Sequence, residues 1–104
     1  GQTAAMEKAL QLSLAIHPHP VAYNLLATEA FEREDYARAV AQWLASLALD
    51  GAQGDTHATL GRVLLARMDR AEEALAHLER ALQLEPARAG ELERWLAAAR
   101  ARLD

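Results

Sequence analysis

The chain has 104 residues, and four histidines, fifteen carboxylates and eleven basic residues are its candidates for acid–base or metal chemistry. His17 and His19 flank Pro18 and could ligate a metal, but no third ligand lies close to them in sequence. A proline-rich turn without a metal is the simpler reading. His77 stands beside Leu78 on a helical segment, a surface or partly buried place rather than a catalytic one. Glu72 with Glu73, and Glu91 with Glu93, could pair as acid and base. Each pair falls near a helix start, where carboxylates favour the helix dipole. The only serines, Ser13 and Ser46, take small packing positions, which leaves a Ser-His-Asp triad without a nucleophile. No cysteine is present to serve as thiolate, disulfide or zinc ligand. No glycine-rich phosphate loop occurs either. These residues predict no enzyme, no cofactor and no metal.

Composition indicates what must position any other site. Ala (25) and Leu (18) dominate, and Ala, Glu, Lys, Leu and Arg together make 64 of 104 residues, a helix-forming set. Val, Ile and Thr total eight, too few to supply a sheet. A net charge of −4 argues against a nucleic-acid partner. The longest stretch without Asp, Glu, Lys or Arg, Ala9 to Thr28, is interrupted by Pro18 and Pro20, so direct membrane insertion is not expected. The first residues lack a basic segment followed by an apolar one, and no secretory leader is read there.

Apolar spacing and breakers predict six helices, at about Ala4–Ile16, Val21–Arg33, Tyr36–Leu49, His57–Arg67, Arg70–Leu84 and Arg88–Leu103. Pro18 and Pro20 end the first, and Asp35 is available to cap the third. Asp55 or Thr56 can cap the fourth, and Asp69 with Glu72 has capping-box spacing for the fifth. Tyr36, Val40, Trp43 and Leu47 form one apolar stripe, and Leu92, Leu96 and Ala99 lie on another with Trp95. Both tryptophans read as core. Short connections make consecutive helices antiparallel hairpins.

The hairpins repeat. Leu26-Ala27 recurs as Leu60-Gly61 after 34 residues, whereas Ala39, Trp43, Leu47 and Leu49 recur as Ala74, Leu78, Leu82 and Leu84 after 35. The extra residue is therefore expected in the turn between the two helices of the second unit. Met6, Leu10, Ser13-Leu14 and Ile16 repeat the second half of the pattern once more, at an offset of 33. Small residues (Ala27 and Gly61, Ala39 and Ala74, Ser46 and Ala81) mark where two helices approach closely. Tyr23, Leu26, Trp43, Leu60 and Leu78 fill the space between. One hairpin cannot bury its own apolar face, so neighbours must stack.

Tyr23, Leu26-Ala27, Ala39, Trp43, Ser46 and Leu49, then Leu60-Gly61, Ala74, Leu78, Ala81, Leu84 and Pro86, resemble the tetratricopeptide repeat (TPR) pattern over roughly residues 4–86. "EDYARAV" and "DRAEEAL" are similar to that family's turn and second-helix opening. Gly51 for a usual proline, Glu34 for a turn glycine, His57 for an aromatic and the inserted residue depart from it. The resemblance implies an all-α fold: antiparallel hairpins stacked as a short right-handed solenoid in a single domain. Residues 4–19 would be the second helix of a partial repeat, 20–53 and 54–87 full repeats, and 88–104 a capping helix. Tyr23 to Leu47 also looks like the TPR stretch of bacterial cytochrome c maturation proteins, which implies a bacterial protein of the cytoplasm or periplasm.

A TPR stack implies a concave groove lined by the first helix of each pair. The implied peptide-binding residues are Asn24, Thr28, Phe31 and Glu32, with Ala58, Arg62 and Leu65 from the next repeat. Phe31 suits a peptide anchor, or else covers the edge of the core. Arg62 could clamp a carboxylate or stand solvated. The Lys and Asn clamp by which some TPR domains hold heat-shock chaperone tails is not matched: Asn24, Thr28, Thr59 and Arg62 occupy those places, and the sole lysine, Lys8, lies elsewhere. The function implied is a non-enzymatic module binding a partner's peptide or helix. The alternative is an assembly unit forming homo-oligomers through its terminal helices.

Overall fold

The computed structural model describes residues 3–8, 11 and 18–104. Among the described residues all regular structure is helical, and no strand occurs. The elements are α1 (Pro20–Glu32), α2 (Tyr36–Leu49), α3 (Gly54–Met68), α4 (Ala71–Leu84), a 3-10 turn (Pro86–Arg88) and α5 (Ala89–Leu103). Residues 3–8 are also helical, and the rest of the expected first helix lies largely outside the described residues. No helix among the described residues is long and apolar enough to cross a membrane. The chain divides into two compact units, residues 1–51 and 52–104.

In the first unit, α1 packs on α2. Ala22, Leu26, Ala27 and Ala30 recur on one side of α1, and Ala39, Val40, Trp43 and Ser46 on one side of α2; all eight are buried. The Ser46 hydroxyl donates to the Pro20 carbonyl at 3.2 Å and pins the start of α1 to α2. His19 caps α1, its Nδ1 accepting the Ala22 N–H at 3.3 Å. The histidine with the metal-like spacing therefore serves as a helix cap, while His17 lies outside the described residues. Asp35 caps α2 as expected, accepting the Arg38 N–H at 3.3 Å.

The turn after α1 explains why a glycine would suit position 34. The Asp35 N–H bonds the Ala30 carbonyl and the Glu34 N–H bonds the Phe31 carbonyl, both at 2.9 Å. That pairing is the Schellman arrangement, and it puts Glu34 in the left-handed region at φ 61°. An L side chain there costs roughly 1–2 kcal/mol. Glu34→Gly is therefore expected to raise stability by about 1 kcal/mol, part of the relief being offset by glycine's freedom in the unfolded chain. The check is a higher urea midpoint at an unchanged slope; an unmoved midpoint would show the turn to be unstrained.

In the second unit, α4 packs on both α3 and α5. Its core combines Leu60 and Leu64 of α3 with Leu78 of α4 and Leu92 and Leu96 of α5, all fully buried. Trp95 is only half-buried, a correction to its reading as core: it lies at the margin of the α5 stripe beside buried Leu92, Leu96 and Ala99. Gly61 lets the helices approach, for a Cβ there would lie 2.7 Å from Leu78 Cγ and 3.2 Å from the Ala74 carbonyl. Gly54 begins α3 earlier than predicted, with Gln53 as N-cap and no side-chain cap from Asp55 or Thr56. The Glu85 carboxylate lies where a Cβ of residue 54 would go and places negative charge at that helix start.

The repeat offsets reappear in the element starts, α3 beginning 34 residues after α1 and α4 beginning 35 after α2. The extra residue does not lengthen the turn. α3 has 15 residues against 13 in α1, and only Asp69 and Arg70 separate it from α4. The Arg70 N–H reaches back to the Leu64 carbonyl at 2.9 Å, closing a wider final turn. Helical winding keeps the added backbone hydrogen-bonded, whereas a longer loop would leave it to solvent. Asp69 ends α3 at φ 53°, so the expected Asp69–Glu72 capping box does not form. Its carboxylate instead accepts from Arg102 at 2.9 Å.

Candidate interaction surface

On α1 the face opposite the buried stripe carries Val21, Leu25, Thr28 and Glu32, all exposed. The steps of four, three and four residues keep them in one row along a 3.6-residue helix. Val21 is 63% and Leu25 48% exposed. Neither was among the residues expected in the groove, although their spacing with Thr28 and Glu32 was readable. Thr28 turns its hydroxyl back to the Asn24 carbonyl at 3.0 Å, which couples two of the expected residues within one helix turn. Asn24 itself is half-buried.

Phe31 is half-buried rather than free. Its ring meets Tyr36 edge-on at 5.6 Å and lies 6.3 Å from the Trp43 ring. Of the two readings open from the sequence, this contact fits a ring that covers the edge of the core. The reason is local: the tight turn brings the end of α1 back against the start of α2.

On α3, Ala58 (0%) and Leu65 (2%) are buried, which corrects their expected exposure. Nine of the fifteen α3 residues are buried, and at 100° per residue they cover more than half the circumference. Such a wide apolar arc leaves only a narrow exposed row, and Ala58 and Leu65 fall inside the arc. Arg62 lies on the open side. Its guanidinium reaches Thr59 Oγ1 at 3.5 Å and Glu91 at 3.8 Å, so it is loosely engaged.

The titratable groups of the second unit gather in places that motif spacing did not indicate. Arg88 donates to Asp55 at 2.6 Å, Glu85 at 3.1 Å and Glu91 at 2.9 Å, linking the start of α3 to the start of α5. The bond from Arg88 holds the Glu91 carboxyl below the ordinary carboxylate range. Arg102 donates to the Leu65 carbonyl at 3.0 Å as well as to Asp69, placing a cation at the C-terminal end of α3. Arg102 and Asp69 line a surface recess of about 460 Å³ together with Arg70 and Glu73, which also pair with each other. Arg88 and Arg102 thus join helix ends within the second unit. No group of three or more His, Cys, Asp or Glu able to hold a metal occurs among the described residues.

The histidines of the second unit form a pair that sequence reading missed. His57, only 8% exposed on α3, and half-buried His77 on α4 place their Nδ1 atoms 2.9 Å apart, with the rings stacked at 5.2 Å. Burial, and next the neighbouring His57, pull the His77 imidazole below its ordinary value of 6.5; Glu73 pulls weakly the other way. A signal existed, since the repeat offsets set His57 against Tyr23 and His77 against Gln42. A scan of the chain against protein-family models finds no match, and a search of curated proteins finds none either.

Proposed function

We propose that the chain is a non-enzymatic interaction module of the TPR kind that binds a peptide or helix of a partner protein. The observation that carries this reading is the uneven placement of exposed apolar side chains. Among the described residues, five of the six large exposed ones, Met6, Val21, Leu25, Leu44 and Leu49, lie in the first unit. Val21 and Leu25 stand one turn apart on α1, with Thr28 and Glu32 continuing the row. An apolar pair beside polar positions suits a partner segment that takes affinity from the first and register from the second.

The TPR assignment is supported by the 34- and 35-residue offsets and by the buried small residues Ala27, Ala39, Ser46, Gly61, Ala74 and Ala81. It is supported again by Glu34, whose left-handed backbone occupies the place of the family's turn glycine. The reading implies a short solenoid of hairpins with α5 as its capping helix. Among the residues expected in the groove, Asn24, Thr28 and Glu32 remain as polar contacts on α1, with Val21 and Leu25 replacing Phe31 as anchors.

A peptide-array screen of wild type against Leu25→Asp tests the proposal. Leu25→Asp is expected to weaken captured peptides about tenfold or more, the loss of one apolar anchor. Its melting curve should stay within about 0.5 kcal/mol of wild type, because the position is exposed. Phe31→Ala, by contrast, should lower stability through its aromatic contacts. Undiminished capture by Leu25→Asp and by Val21→Asp would sink the assignment of this face.

A further inference from the structure

We propose that the contact between His57 and His77 is an acid-sensitive latch joining α3 to α4 in the second unit. At 2.9 Å, the Nδ1 atoms share one N–H···N hydrogen bond, so one ring donates and the other must accept with a lone pair. The pair can carry one extra proton, on the donor ring, and keep the bond. A second proton removes the last lone pair and sets two cationic N–H groups against each other. His57 is too buried to take up water without α3 and α4 moving apart.

Carboxylates on all three helices of the second unit are already engaged, including Glu73, which acts on His77. Glu73, one turn before His77 on α4, accepts from Arg70 Nε and Nη2 at 2.8 and 2.6 Å. Asp55, two residues from His57 on α3, is held by Arg88 at 2.6 Å. From α5, Glu91 faces Arg88 and Arg62. The direction of the pH effect follows. The buried His77 imidazole takes a proton less readily than it would in the unfolded chain. The latch is therefore intact above pH 6.5 and is lost as the pH falls below that value. The inference rests on the second unit alone and holds whether or not the α1 face binds a peptide.

The first unit supplies suitable replacements, because Gln42 and Tyr23 stand at the corresponding repeat positions. Urea unfolding of the full chain would be followed from pH 7.5 to 5 for wild type, His77→Gln and His57→Tyr. The wild-type unfolding constant is expected to rise by up to about tenfold per pH unit below 6.5, the signature of one proton taken up on unfolding. Each variant should show less than about a third of that rise. Imidazole NMR on wild type should place the His77 titration below 6.5. This titration decides the matter if a variant fails to fold. Equal pH slopes in wild type and variants, or titration of His77 at 6.5 or above, would overturn the latch.

Discussion

Replacing Trp43 with alanine is expected to cost about 3–5 kcal/mol, the usual range for emptying a buried aromatic site. Trp43 is 4% exposed at the centre of the α2 stripe, and its ring stands beside Phe31, which in turn meets Tyr36 edge-on. Truncation therefore removes one large side chain and unseats a second. The neighbours around it on the two stripes are chiefly alanines, such as Ala27, Ala30 and Ala39, and these cannot extend to fill the space. Against a total stability of roughly 5–15 kcal/mol, such a loss is a large fraction. The measurement is far-UV circular dichroism in urea and on heating, where a melting temperature lower by roughly 15–30 °C is expected for a chain of this size. Trp43→Phe should lose much less. A loss under about 1 kcal/mol for Trp43→Ala would mean that the aromatic cluster does not organise the first unit.

The second large effect concerns Gly61 and Leu78, which meet where α3 approaches α4. Leu78→Ala is expected to cost about 2–5 kcal/mol, since Leu78 is fully buried. Gly61→Ala adds a methyl 2.7 Å from Leu78 Cγ and 2.9 Å from its Cδ2. That overlap costs about 1–3 kcal/mol, offset by up to about 1 kcal/mol of helix propensity. The double variant removes the obstruction together with the side chain that caused it. Its loss is expected to fall short of the sum of the single losses by about 1 kcal/mol or more, the coupling expected of residues in contact. Urea unfolding of the four proteins at one pH measures it. Strict additivity would mean that Gly61 is not the point of close approach.

Much of the fold was legible because helix-forming composition, apolar spacing and breakers act locally. α2 runs over the span predicted for it, and Asp35 caps it through a bond only three residues long. The small residues of the repeat are buried because a 3.6-residue period returns them to the same side of a helix. Less of the candidate surface was legible. Ala58 and Leu65 were expected outside because a single amphipathic face was assumed for α3, whereas its apolar arc covers more than half of the helix. Phe31 was open between a peptide anchor and a cover over the edge of the core, because its own helix does not decide between them. The turn brings Tyr36 of the next helix to its edge.

The amino-acid sequence by itself determined the all-helical class, the recurrence of its elements at 34 and 35 residues and the places where small side chains are required. These follow from interactions a few residues apart, which spacing records. Only the tertiary structure decided that the inserted residue winds into the end of α3, that Arg88 bridges two helix starts and that His57 and His77 share a hydrogen bond. Those outcomes join residues 20 and 33 positions apart or weigh a loop against a helix turn, and such contacts leave no periodic trace in the chain.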